Sequence, residues 1–239
     1  MKPISYVICA AGLGLRFREH GINIPKPLMI LEGKTMLERS IESLPLRSMD
    51  QLIIISQKAD SLPSLFSTIK KCEWLEIETT TKGQLDTFLL AKDMIKFDDI
   101  VIYNCDTFFH SPGLLELMES DLYSGIIPCS PQPGDCWSFC EVDSHLNVLQ
   151  VAEKERISDW ASVGFYYFKG KELLIHLAEL ECRQTLGKES YVAPLYNRYL
   201  SLGHKLRVAV VDRFLPFGTI EQVKTYWDVS IEELKRQHP

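Results

Sequence analysis

The run Ile4-Ser5-Tyr6-Val7-Ile8-Cys9-Ala10 leads straight into Ala11-Gly12-Leu13-Gly14-Leu15-Arg16. Mostly apolar residues over that length read as a buried strand, and the two glycines then impose a turn at its carboxyl end. Apolar runs of strand length recur at Leu52 to Ser56, Ile100 to Tyr103 and Ile126 to Cys129, with helix-like stretches between the early ones. One helix is expected from Thr35, whose hydroxyl caps while Glu38 reaches back, burying Met36, Leu37, Ile41 and Leu44. Another is expected over about Gln84 to Ile95, and a short one after Ser111-Pro112, read as cap and first-turn proline. Such alternation predicts an α/β fold: a Rossmann-like mixed, mostly parallel sheet flanked by helices, with ligands beyond the carboxyl ends of the strands.

The second half changes character. Phe139 to Val142 and Val148 to Ala152 flank a polar turn like a hairpin, and Val163 to Phe168 reads as a further strand. Helices are expected at about Lys171 to Cys182 and Tyr191 to Leu202, then a strand at Leu206 to Val211 and an amphipathic helix from Thr219. The reading is one domain over residues 1–239, with a nucleotide-type half to about residue 135 and a substrate-type half from about residue 136.

Composition narrows the function classes. In 239 residues, 26 Lys and Arg face 32 Asp and Glu, a net charge of -6, and no basic run exists to track backbone phosphates, so nucleic acid is not expected as a partner. The seven cysteines include no Cys-x-x-Cys pair, which fits a reducing compartment better than a disulfide framework or a zinc site. The apolar run near the start is interrupted by Gly12 and Gly14 and followed at once by Arg16, Arg18 and Glu19, which is poor signal-peptide grammar. With no long apolar stretch elsewhere, the expectation is a cytoplasmic protein without a membrane span. A homo-oligomer is compatible with the sequence.

The glycine turn sits where anions bind in sheets of this kind. Gly12 and Gly14 carry no Cβ to hold a phosphate away from backbone N–H groups, and Arg16 offers a planar cation matched to phosphate oxygens. A dinucleotide fingerprint needs a third glycine where this chain has Phe17, and a P-loop ending at Gly33-Lys34-Thr35 needs one where it has Leu28. A second cation, Lys26, is held between Pro25 and Pro27, and two positive side chains beside N–H donors suit a triphosphate. Asp106 ends the apolar strand Ile100 to Cys105, at the same sheet edge as the glycine turn, where a carboxylate can hold Mg²⁺.

These motifs together resemble the sugar-1-phosphate nucleotidyltransferases, which join a nucleoside triphosphate to a sugar 1-phosphate and release pyrophosphate. Ala11-Gly12-Leu13-Gly14-Leu15-Arg16 with Pro25-Lys26-Pro27-Leu28 is similar to that family's signature, and Gly33-Lys34-Thr35-Met36-Leu37 to the segment following it. The resemblance implies catalytic roles for Arg16, Lys26 and Asp106, with Mg²⁺ on Asp106. It implies a nucleotide site at Ala11, Gly12, Leu13, Gly14, Gly83 and Gln84, with Lys82-Gly83-Gln84 beside base and ribose. It also implies a sugar-phosphate site at Glu153, Lys154, Gly164 and Glu189, with Glu189-Ser190-Tyr191 opening a helix over that pocket. The partners so implied are an NTP and a sugar 1-phosphate or similar small phosphate ester.

One departure stands out. Many members carry a second metal aspartate two residues before a late Gly-Thr, and here Gly218-Thr219 follows Pro216-Phe217. Asp212 and Asp228 lack the family's offset. That gap motivates an alternative, a catalytically silent nucleotide-sugar-binding regulatory subunit on the same fold.

Overall fold

The computed structural model describes residues 2–66, 71–185 and 188–237. Ten strands form one continuous sheet: β1 (Ile4–Cys9), β2 (Gln51–Gln57), β3 (Cys72–Ile77), β4 (Asp99–Asn104), β5 (Gly125–Pro131), β6 (Ser138–Val142), β7 (Val148–Glu153), β8 (Trp160–Ser162), β9 (Phe165–Lys169) and β10 (Leu206–Val210). The order is β7-β6-β8-β5-β9-β4-β1-β2-β3, with β10 on β5. The half around β1 is parallel, β1 lying between β2 and β4. The hairpin half is antiparallel, except that β10 runs parallel to β5. This is the mixed α/β sheet expected from the alternation of apolar runs.

Side-chain alternation along β1 divides the core into two layers. Tyr6 and Ile8 join Tyr103, Phe109, Phe165 and Phe217 on one face, while Val7 joins Ile53, Ile100, Phe88 and Phe168 on the other. The helix Met36–Glu42 covers the first face and carries the expected capping box, Thr35 accepting from the Glu38 N–H at 3.2 Å while the Glu38 carboxylate accepts from the Thr35 N–H at 2.8 Å. The helices Gln84–Leu90, Lys171–Gln184 and Leu195–Ser201 cover the second.

Several local expectations need correction. The helix from Gln84 stops at Leu90 and continues as a 3₁₀ turn over Lys92–Met94. Ser111 is not a cap: its hydroxyl donates to the Val210 carbonyl at 2.8 Å, and the helix Leu114–Glu119 starts after Gly113, which takes a left-handed φ of 76°. The helix expected from Tyr191 begins only at Leu195, behind Pro194, so Glu189-Ser190-Tyr191 is irregular. The strand read as Val163 to Phe168 begins only at Phe165: Val163 and Gly164, whose φ is 81°, separate β9 from β8.

That break positions the site. On one side of it β9 pairs with β4; on the other, β8 pairs with β6, so the sheet forks at Gly164. Beyond β4 the chain turns through Asp106 into Thr107–His110, which pairs antiparallel with Arg213–Pro216, Thr107 opposite Pro216. This ladder and the edge strand β3 have no counterpart in the reading of the sequence.

Candidate functional site

A cavity of about 750 Å³ opens at the carboxyl ends of β1 and β4 and extends into the fork. The register Cys9↔Asn104 brings the glycine turn after β1 and the acid after β4 to one sheet edge. The cavity wall includes Ala11, Gly12, Leu13, Gly14, Arg16, Lys26, Gly83, Gln84, Asp106, Glu153, Lys154, Gly164 and Glu189. These thirteen residues, given catalytic or binding roles from the sequence, line one cavity, whereas Lys82 and Ser190 do not.

Gly12 and Gly14 serve different ends. Nothing lies within 4 Å of where a Gly12 Cβ would stand, so the missing side chain leaves space in the cavity itself. Gly14 adopts φ 62°, a left-handed turn conformation that glycine takes without steric cost. The loop's start is pinned by Gln57, buried at the end of β2, whose amide donates to the Ala11 carbonyl at 2.9 Å.

Lys26 leaves a single 3₁₀ turn, Lys26–Leu28, between its two prolines, and its Nζ reaches Asp106 Oδ2 at 2.5 Å. The pair is largely withdrawn from water, with side-chain exposures of 14% and 25%. A second contact fixes the acid from behind: the Phe217 N–H donates to the Asp106 carbonyl at 2.9 Å. Gly218 makes room for the carboxylate, since a Cβ there would fall 2.9 Å from Asp106 Oδ2. Pro216 lines the same wall, whereas Asp212 is turned away to His110 Nδ1 at 2.8 Å. Beneath, burial pushes the Cys105 thiol up to about 11 against the pull of the Lys26 charge.

Across the cavity, Glu153 ends β7 and Lys154 follows it. Glu153 accepts a hydrogen bond from the Ser138 hydroxyl, and burial lifts its carboxyl above the usual range, Ser138 and the Lys154 charge opposing. Lys154 has a left-handed φ of 56°, uncommon for a residue with a side chain, and its N–H donates to the Trp137 carbonyl at 2.9 Å. Its Nζ meets the Tyr191 hydroxyl at 2.5 Å and lies 3.6 Å from Glu189. Partial burial works against the Lys154 ammonium, but the Tyr191 bond and the Glu189 charge outweigh it and raise its pKa.

The cavity also contains residues the sequence reading passed over. Asn104, Thr81, Thr87, Trp137, Ser138 and Gln222 are ordinary polar or aromatic residues that no motif marks. Ser138 is findable only as the β-sheet partner of Glu153. Asn104 fills the space that a Gly164 side chain would need, its Nδ2 lying 2.3 Å from the Cβ position.

Residues 6–161 match the model of the MobA-like NTP transferase domain, well over half of the chain. The chain belongs to the MobA-like NTP transferase family. Among curated proteins it is 27% identical over 167 residues to the bifunctional protein GlmU of Methanococcus aeolicus, covering 69% of this chain and 40% of that one. To GlmU of Acaryochloris marina it is 25% identical over 249 residues, covering 97% and 53%. The chain thus spans about half, or less, of the length of the curated relatives it matches. Among solved structures, a nucleoside-diphosphate-sugar pyrophosphorylase from Vibrio cholerae RC9 superposes with a TM-score of 0.77 at 25% identity, covering 93% of this chain and all of the other. The inositol-1-phosphate CTP transferase from T. maritima has the same fold, with a TM-score of 0.77 at 11% identity over 100% and 99% of the two chains. The family resemblance read from residues 11–16 and 25–28 is borne out. No helix among the described residues is long and apolar enough to cross a membrane.

Proposed function

We propose that this protein transfers a nucleotidyl group from an NTP to a sugar 1-phosphate, or a similar small phosphate ester, with release of pyrophosphate. The observation that carries the reading is one cavity holding an open glycine turn, the Lys26–Asp106 pair and, opposite, Glu153 and Lys154. A phosphate oxygen of the acceptor forms a bond to the α-phosphorus as the bond to the β-phosphate oxygen breaks. The acceptor oxygen is already ionised at neutral pH, so no residue has to remove a proton, and rate comes from positioning and charge stabilisation.

Within that reading the Ala11–Gly14 turn, with Arg16 and Lys26, cradles the triphosphate and stabilises the departing pyrophosphate. Gly83 and Gln84 border the nucleoside. Lys154 orients the acceptor phosphate, and Glu153 accepts hydrogen bonds from the acceptor's hydroxyl groups.

Asp106 would hold Mg²⁺. Among the described residues no cluster of three or more His, Cys, Asp or Glu exists, and Pro216 cannot contribute a side-chain oxygen. That donor set fits magnesium carried mainly by substrate phosphates and water, a mode that needs only one or two protein carboxylates. When bound, the ion neutralises phosphate charge and polarises the reacting phosphorus. Lys26, already on Asp106, keeps that carboxylate aimed into the cavity.

A matrix of NTPs against sugar 1-phosphates and other phosphate esters, read by pyrophosphate release, tests the assignment. Release from a specific pair, lost in Asp106→Ala, is the expected result. Pro216 motivates the second reading, a silent nucleotide-sugar sensor: stabilisation by a nucleotide sugar with no release from any pair would establish it. A cytoplasmic setting and a role in polysaccharide precursor synthesis go with the enzyme reading.

A further inference from the structure

The helix Gln84–Leu90 opens on Gly83, which has no side chain to cap it, so the N–H groups of its first turn need other partners. Ser190 supplies them from far along the chain. Its carbonyl accepts from the Leu85 N–H at 3.2 Å, its hydroxyl accepts from the Asp86 N–H at 3.3 Å, and its own N–H donates to the Lys82 carbonyl at 3.0 Å. Ser190 is 2% exposed, so these bonds are shielded from water.

Gly83 is fitted to this contact. Its φ of 152° and ψ of -179° belong to a region that is essentially glycine-only. A Cβ there would stand 2.4 Å from the Ser190 oxygen and 2.7 Å from its nitrogen. The residues flanking Ser190 face the opposite subsite: Glu189 and Tyr191 both line the cavity, and Tyr191 holds Lys154 through its hydroxyl. An unbroken run of contacts therefore leads from Lys82–Gln84 through Ser190 to Tyr191 and Lys154.

We infer that Ser190 is a positioning residue that couples the two subsites, so that nucleotide on the Lys82–Gln84 side orders Tyr191 and Lys154 for the acceptor phosphate. This rests on the nucleotidyltransferase reading above. A ligand that fixes the Gly83 turn fixes Ser190, because three hydrogen bonds and a close backbone approach tie them. By thermodynamic reciprocity the acceptor tightens nucleotide binding by the same factor.

Amide hydrogen exchange separates this inference from the reading beneath it. The probe is whichever of ATP, CTP, GTP, UTP and dTTP, each with magnesium, raises Tm most. In the wild type it should slow exchange at Gly12–Leu15 and also at Tyr191–Ala193, by about fivefold or more. In Ser190→Ala, which keeps the backbone bonds and loses the hydroxyl cap, protection at Gly12–Leu15 persists while that at Tyr191–Ala193 weakens severalfold. Gly83→Ala, which drives a methyl group into Ser190, removes the second protection altogether. Kinetically, Ser190→Ala should raise the KM of the acceptor more than that of the NTP, a split that loss of helix stability alone would not produce. Wild-type protection confined to Gly12–Leu15, or full protection of Tyr191–Ala193 in Ser190→Ala, overturns the coupling while leaving the nucleotide site intact. Absence of protection at Gly12–Leu15 with every NTP overturns the nucleotidyltransferase reading and the coupling with it.

Discussion

Gly12→Ala and Gly164→Ala add the same methyl group at two glycines of one cavity, and the structure gives them opposite consequences. At Gly12 the new Cβ meets nothing within 4 Å, and the residue is not among those with positive φ. Folding should therefore be nearly indifferent, within about 0.5 kcal/mol, or roughly 1–2 °C in Tm for a chain of this size. The methyl group instead occupies space where a phosphate would approach backbone N–H groups. Losing one charge-assisted hydrogen bond, about 1.5–3 kcal/mol, lowers kcat/KM for the NTP roughly 10- to 150-fold. At Gly164 the φ of 81° is left-handed, which costs a side-chain-bearing residue about 1–2 kcal/mol. The Cβ would also stand 2.3 Å from Asn104 Nδ2 and 3.3 Å from Asn104 Cβ, so the Asn104 side chain must swing and its neighbours repack, for about 1–3 kcal/mol more. The sum, about 2–5 kcal/mol, lowers Tm by roughly 4–20 °C. Thermal unfolding of the two variants, with pyrophosphate release followed against NTP concentration, decides the matter. A Gly12→Ala enzyme with unchanged KM and kcat, or one destabilised as much as Gly164→Ala, would refute the assignment of Gly12 to the anion cradle.

Lys26→Ala leaves Asp106 half-buried without its cation and removes one stabiliser of the leaving group; pyrophosphate release should fall by about 10²–10³-fold, and a loss below tenfold would argue against the role. Glu153→Gln preserves an acceptor for Ser138 while removing a carboxylate whose folded pKa burial has raised. A raised folded pKa favours the native state below the unfolded value of 4.5 and loses that advantage as pH rises through the folded value, so the Gln variant should exceed wild type in Tm at neutral pH and lose that margin below 4.5. A pH-independent difference in Tm between the two would contradict this account. Thr35→Ala breaks a capping box remote from the cavity and should lower Tm by about 2–4 °C with KM and kcat unchanged.

Much of the architecture is legible in the sequence because it is decided locally. Apolar runs give β1, β2, β4 and β5, and the capping boxes at Thr35 and Thr219 each depend on residues three apart. The edge strand β3 was not legible: in Cys72-Glu73-Trp74-Leu75-Glu76-Ile77 most residues are half-buried, so neither a clean alternation nor an apolar run appears. Thr107–His110 and Arg213–Pro216 are each too short to declare themselves, and exist as strands because they pair with each other. Tyr191 to Ala193 stays outside the helix because Pro194 has no N–H to donate and disfavours helical backbone at the residue before it.

The candidate site divides the same way. Sequence alone marked the glycine turn, the Pro-flanked Lys26 and the strand-end Asp106, because each is a short motif whose chemistry is carried by neighbouring residues, and it marked the Glu153-Lys154 pair only through the family resemblance. Tertiary structure alone decided that Lys26 holds Asp106, that Ser138 backs Glu153, that Asn104 fills the space under Gly164, and that Ser190 caps a helix begun by Gly83. Those contacts join residues 15 to 104 positions apart, and no local preference encodes them. They arise only when burial of the two apolar faces of the sheet closes the intervening loops.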